Sequence, residues 1–383
     1  MPLPRLAVVG VHGHGASHVR EAARLATAGR ARFVAVADPR PPDPPLDGVA
    51  VYSGLADLLA EQEVEVVVIC TPIHTHVPLA ESAMRAGADV LLEKPPAPSL
   101  AEFEQLSAVV AETGRTCQVG FQAHGSGGAL ALAAMVADGT LGEIRGIGVT
   151  GTWVRAQAYW QRARWAGHRT LDGVAVVDGA VTNPFAHAVA TALLVDGSGQ
   201  ADQVVSVETE LFRANPIEAD DTSTVRIRTS RGTTILVAVT LCGAASEPPQ
   251  VIVQGSAGRA VLRYTTDELD VGEGTAQYGR GGLLENLLDH RLDPTVPLLA
   301  PLAATGAFTR VLDAVRSAPA PMEIPADLVR WEGDTPEARH PVVPGIEKWI
   351  DQAAQELALF SELGAPWAST RREKTQSRDS ELR

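Results

Sequence analysis

Four short stretches of the chain hold the residue types that chemistry needs. The first is Val9-Gly10-Val11-His12-Gly13-His14-Gly15, a glycine-bearing turn between an apolar run and an Ala/Leu-rich segment. Glycines in such a turn let backbone amides approach an anion, and the N-terminus of the following helix adds its dipole. Gly10 and Gly15 hold the outer positions of GxGxxG, but His12 takes the middle one, with Gly13 beside it and His14 next. The fingerprint of a dinucleotide turn is therefore present in degenerate form. The next apolar run ends in Val36-Ala37-Asp38. A carboxylate there accepts hydrogen bonds from both ribose hydroxyls of NAD. Arg40 could instead hold a 2′-phosphate, so NAD is the expected cofactor and NADP the alternative.

The second stretch is Cys70-Thr71-Pro72-Ile73-His74-Thr75-His76, after another buried apolar run. Ligands of open α/β sheets sit at the carboxyl ends of the strands. Thr71, Pro72, His74 and His76 are thus candidates for the nicotinamide half. No carboxylate or third histidine completes a ligand set around the HxH pair, so no metal is expected. The third stretch is Val90-Leu91-Leu92-Glu93-Lys94-Pro95-Pro96, again at a strand's end. The chain has only three lysines among 32 basic residues, and Lys94 is one of them. Partial burial moves a lysine pKa toward neutrality, which arginine does not allow. Lys94 therefore reads as a residue used for proton transfer, with Glu93 beside it.

The elements that must position these residues follow from two alternating periods. Apolar runs at 6–9, 33–37, 64–69, 90–92 and 116–119 alternate with helical stretches near 18–28, 55–61, 77–86 and 100–112. That pattern predicts βαβ units and a doubly wound parallel sheet, an α/β Rossmann domain over residues 1–123. Five prolines within residues 39–45 mark an exposed loop after the second strand. Beyond residue 123, strands are expected at 143–153, 203–213, 222–229, 233–241, 249–254 and 260–264, joined by Gly-containing turns. They predict an α+β domain with a mostly antiparallel sheet over 124–367. Helical patterns recur at 130–137, 301–316 and 345–363. Asp220-Asp221 reads as a solvated turn. Residues 368–383 are polar without apolar period and are expected to be a disordered tail.

The stretch from Thr71 to Leu106, with its EKP lysine, the glycine turn, the Ala37-Asp38-Pro39 strand end and Leu141-Gly142-Glu143-Ile144 together resemble the Gfo/Idh/MocA family. The family groups relatives of glucose–fructose oxidoreductase and inositol dehydrogenase. The resemblance is specific from residue 5 to about 155 and looser afterwards. It implies a Rossmann domain followed by a domain with an open sheet, and NAD(P)-dependent redox chemistry at a secondary alcohol or ketone of a sugar, glycoside or cyclitol. Lys94 would lie close to both nicotinamide and substrate. The fourth stretch, Arg164-Trp165-Ala166-Gly167 followed by Thr182-Asn183-Pro184-Phe185-Ala186-His187, corresponds to a family element in which Asp and His sit four apart on one helix. Here His187 matches the histidine, and Asn183 stands where the aspartate is expected. Asn orients a hydroxyl but takes no proton, so Lys94 and His187 are the expected catalytic pair. Arg164, Trp165 and Asn183 would orient the substrate. Asp178 is a possible substitute for the missing acid. Gln122 falls where relatives carry an Arg-rich segment and is expected near the cofactor.

Two other functions fit the same residues: glycoside cleavage through transient oxidation with recycled NAD, and nucleotide binding without turnover. The formal net charge of −14 argues against nucleic acid and anionic membranes. The three cysteines form no CxxC pair, and no leader-like or membrane-spanning run is read. The expected setting is a cytoplasmic homo-oligomer, dimer or tetramer, acting on a small polyol or sugar.

Overall fold

The computed structural model describes residues 2–368. They divide into two compact units, one holding the chain up to Gly125 together with Gly281–Thr309, the other Ser126–Arg280 and the chain from Arg310 onward. The sequence assigns 281–309 to the second domain. That segment instead returns to the first unit, where α8 (Leu283–Leu292) sends Arg291 to Glu65 and Asp89. The expected tail lies, apart from Ala368, outside the described residues.

The first unit is built on six parallel strands: β1 (Arg5–Val9), β2 (Arg32–Ala37), β3 (Ala50–Tyr52), β4 (Val66–Ile69), β5 (Asp89–Leu92) and β6 (Cys117–Val119). Their order is β3-β2-β1-β4-β5-β6, the doubly wound arrangement with its switch point beside β1. β4 and β5 are buried throughout, as strands covered on both faces must be. The helices between them are α1 (Gly15–Thr27), α2 (Leu55–Glu61), α3 (His76–Arg85) and α4 (Leu100–Thr113). α1 buries His18, Val19, Ala22 and Leu25, a one-sided stripe of helical period. α4 is capped by Ser99, whose hydroxyl accepts from the Glu102 amide, and ends on Gly114 with φ +61°.

The second unit holds α5 (Gly127–Ala137), α6 (Gln157–Trp160), α7 (Ala186–Asp196) and a nine-stranded sheet. Its strands are β7 (Ile144–Thr152), then, after the short hairpin of β8 (Thr170–Leu171) and β9 (Val174–Ala175), β10 (Val204–Arg213), β11 (Thr222–Thr229), β12 (Thr234–Thr240), β13 (Gln250–Gly255), β14 (Arg259–Arg263), β15 (Glu268–Val271), β16 (Gly274–Gln277) and β17 (Met322–Glu323). The pairing is mostly antiparallel; only β7 with β12 and β10 with β17 run parallel. Ile346, Ile350, Phe360 and Trp367 pack with Phe212 and Leu236 into one apolar cluster.

The acidic pair Asp220-Asp221 is not a solvated turn. Both residues are buried, because Asp221 accepts from the Asn215 amide at 2.7 Å and Asn215 Nδ2 at 2.8 Å, and Asp220 accepts from the Ser223 hydroxyl at 2.8 Å. Burial raises the pKa of both.

Gly10 shows why the first turn needs glycine on packing grounds alone. Its φ is +84°, and a Cβ would stand 2.0 Å from the Cys70 carbonyl oxygen. Gly10→Ala is expected to destabilise the first unit by about 1–3 kcal/mol. Denaturant unfolding followed by circular dichroism measures this; an unchanged midpoint would contradict it.

Candidate active site

In the first unit, β1 delivers the chain to Gly10, and α1 begins at Gly15. Between them, the amides of His12, Gly13 and His14 donate to no protein group among the described residues. Three free amides at a helix N-terminus, in a first turn without acidic residues, fit a pyrophosphate. The His12 ring turns away from this turn: its Nε2 lies 3.1 Å from the Arg40 carbonyl oxygen and 3.9 Å from Asp38 Oδ1. Asp38 accepts from the Val11 amide at 3.0 Å and from the Arg40 amide at 2.9 Å. Each carboxylate oxygen keeps lone-pair capacity for a ribose hydroxyl. The side chain of Arg40 is exposed.

At the end of β4, the Thr71 and Thr75 hydroxyls lie 2.7 Å apart, and Thr75 donates to the Pro72 carbonyl at 2.7 Å. Pro72 and His74 are exposed, whereas His76 is buried. The His76 ring lies 2.8 Å from both the Pro95 and Thr71 carbonyl oxygens. It thereby ties the loop after β4 to the loop after β5. Burial pushes its pKa down, and a neutral ring donates to one of these carbonyls at a time.

Glu93 is the centre of the first unit's polar network. It is buried, and Oε1 lies 2.8 Å from His18 Nε2, 3.3 Å from His14 Nε2 and 3.0 Å from Gln122 Nε2. Oε2 accepts from the Lys94 amide at 3.0 Å. Burial opposes the charge, but hydrogen bonds from His14 and His18 hold the carboxyl well below the usual range. The same contact raises His14 above its ordinary 6.5. Gly120 passes so close that a Cβ there would meet the Glu93 carboxylate at 2.7 Å. The structure thus gathers the expected Glu93, Lys94, His14 and Gln122, and adds His18, which sequence reasoning missed. A signal is available: His14, the N-cap of α1 with helical φ/ψ, and His18 stand four apart, the spacing that brings side chains to one side. The donor atoms of His14, His18 and Glu93 lie within 4.8 Å of one another, a set a metal ion could use; the absence of metal was expected from the HxH pair alone.

In the second unit, the residues after β7 form a cluster of arginines and aromatics. Arg162 stacks on Tyr159 at 3.7 Å and Trp165 at 4.6 Å, and its Nη2 donates to Asp178 at 3.0 Å. Asp178 is buried and also accepts from the Gly167 amide at 2.8 Å and from Asn183 Nδ2 at 2.5 Å. Asp178, the possible substitute for an acid at position 183, is therefore held against Asn183 in space. Asn183 precedes the helix rather than sharing its face with His187: α7 begins at Ala186, and residues 179–185 form turns. His187 is partly buried in the first turn of α7. Arg164 is not part of the cluster; it is exposed and pairs with Asp172 at 3.2 Å. Arg162, not singled out in the sequence, is the arginine that pairs with buried Asp178.

Replacing Glu93 by Gln removes the charge that stabilises the His14 imidazolium. The His14 pKa should fall back toward about 6.5, as read by a histidine-resolved NMR titration; an unshifted value would contradict the assigned network. In the wild type, the stabilisation from this contact is complete below the unfolded-state pKa of His14. It is lost as pH rises through the elevated folded value. Glu93 acts oppositely, contributing above its unfolded value and losing this as pH falls through the depressed folded one.

Residues 5–121 match the oxidoreductase family with NAD-binding Rossmann fold, and residues 129–261 match the GFO/IDH/MocA C-terminal domain. Inositol 2-dehydrogenase 1 of Saccharopolyspora erythraea is 35% identical over 129 residues, 30% of this chain and 36% of the relative. Inositol 2-dehydrogenase of Streptomyces avermitilis is 33% identical over 143 residues, 36% of this chain and 41% of the relative. The chain thus matches less than half the length of these two curated relatives. The WlbA dehydrogenase of Bordetella pertussis, solved in complex with NADH and UDP-GlcNAcA, shares the fold with a TM-score of 0.68 at 22% identity, covering 82% of this chain and 95% of that one. With both of its domains matched in order, the chain belongs to the Gfo/Idh/MocA family of oxidoreductases, and its first unit is that family's NAD-binding Rossmann fold.

Proposed function

We propose that this protein is an NAD-dependent oxidoreductase that transfers hydride between nicotinamide and a secondary alcohol or ketone of a sugar, glycoside or cyclitol. The observation that carries the reading is the conjunction of three free amides at 12–14, Asp38 at the end of β2, and Lys94 at the end of β5 in one sheet. The related inositol dehydrogenases and the NADH-bound WlbA dehydrogenase support the same chemistry. We include in the proposal a second domain for substrate and self-association, and a cytoplasmic homo-oligomer.

When bound, NAD supplies the hydride acceptor at the nicotinamide. The remaining tasks fall to the chain. The amides of residues 12–14 neutralise the pyrophosphate, and Asp38 accepts from the ribose. Glu93 holds His14, His18, Gln122 and the Lys94 amide in fixed positions. The Lys94 ammonium opposes the negative charge that develops on the reacting oxygen. The His187 ring is the group assigned to take the hydroxyl proton and to return it in the reverse direction, with Lys94 assisting as the ammonium. In the second unit, Asp178 accepts from Asn183 and Arg162 and so fixes the orientation of the Asn183 amide, the group assigned to orient a substrate hydroxyl.

Lys94→Ala should lower turnover by about 10²–10⁴-fold while changing NADH affinity little. The assay is NADH formation on a panel of cyclitols, hexoses and glycosides, with cofactor affinity measured separately. Equal turnover in the variant would remove Lys94 from the chemistry. A wild type that binds NADH yet turns over no member of the panel would overturn the reading.

A further inference from the structure

We propose that the substrate carries an oxyanion, a carboxylate or a phosphate, and that Arg155 of the second unit recognises it. The inference rests on the reading of the second-unit cluster as a substrate site.

Arg155 lies three residues beyond the end of β7, where the sheet still holds the backbone. Its amide donates to the Leu241 carbonyl at 3.3 Å, and the Val154 amide donates to the Ser246 hydroxyl at 2.9 Å. The guanidinium carbon lies 4.6 Å from the Trp153 ring and 5.0 Å from the Tyr159 ring. Two aromatic rings and a fixed backbone therefore hold this cation in place before any ligand arrives.

No carboxylate answers the charge. Among the described residues none lies within 4.0 Å of the Arg155 nitrogens, whose protein partners are the neutral Val154 carbonyl, at 3.1 Å from Nη1, and the Tyr159 hydroxyl. Nε is buried and has no hydrogen-bond partner. Arg162, seven residues further along, shows the contrast: Asp178 compensates it directly. The buried Trp160 Nε1, five residues after Arg155, likewise has no partner. A half-buried guanidinium with unspent donors is costly unless an anion or strong acceptors complete it. A neutral polyol meets some of the donors but leaves the charge. An oxyanion meets both, and arginine is the side chain suited to it. In a chain of net charge −14, an anionic substrate needs such a fixed cation to be held at all.

The test is calorimetric binding in the presence of NADH, using a matched panel: a hexose, its hexuronate and its 6-phosphate. The wild type is expected to bind at least one anion tenfold or more tightly than the hexose, and the winning anion identifies carboxylate or phosphate. Arg155→Met should erase that preference, lowering anion affinity at least tenfold more than hexose affinity, and Arg155→Lys should restore part of it. Equal affinity for hexose and both anions, or a preference that survives Arg155→Met, overturns the proposal. Should the Met variant unfold, the wild-type preference and its loss between low and high salt decide the matter alone. Turnover separates this proposal from the one it rests on. Arg155-dependent anion binding without NADH formation keeps the anion site and removes the redox reading. Oxidation of neutral polyols with no anion preference does the reverse.

Discussion

A buried carboxylate at the end of β5 organises the first unit. Glu93 is almost fully removed from water, and an ionised carboxylate there is stable only with its acceptor capacity filled. His18 and His14 come from the dinucleotide helix, Gln122 from the segment after β6, and the Lys94 amide from the adjoining residue. The glycine turn, the EKP segment and the segment carrying Gln122 are therefore fixed to one another by a single side chain. His76 performs a parallel task, joining the loops after β4 and β5 through two carbonyls. Positions at the carboxyl ends of three neighbouring strands are thus coupled, and Lys94 is presented from within that coupled set.

The second unit has a corresponding centre in Asp178. It balances Arg162, binds the Gly167 amide and orients Asn183. With Asn183 where an aspartate is expected, a carboxylate still stands in this neighbourhood: Asp178, which accepts from Asn183 Nδ2. Aromatic rings then set the arginines: Tyr159 lies against both Arg155 and Arg162. The contacts are planar cations on planar rings.

The architecture was legible where burial imposes a period. β1, β4 and β5 are continuous apolar runs, and β11 was read with its observed limits, Thr222–Thr229. The sequence was silent where an element sits at a sheet edge or lacks an apolar face. β3 is a half-exposed Ala-Val-Tyr, and β15 and β16 are short and mainly polar. The return of 281–309 to the first unit has no local signature, because α8 is joined to it by long-range contacts such as Arg291 with Asp89. Residue types were read well at the site, and their directions were not. Arg164 and Arg162 look equivalent in sequence, yet one pairs with exposed Asp172 and the other with buried Asp178. Asp220 and Asp221 looked solvated because their partners, Ser223 and Asn215, are named only by the fold.

The most direct measurement is a calorimetric titration of the purified protein, shown to carry no nucleotide, with NADH and with NADPH. Saturable one-site binding of NADH is expected, with NADPH weaker because the Asp38 carboxylate would accept from the ribose hydroxyls and would repel a phosphate there. Absence of binding by both would contradict the assignment of the 12–14 amides, and tighter binding of NADPH would contradict the role given to Asp38.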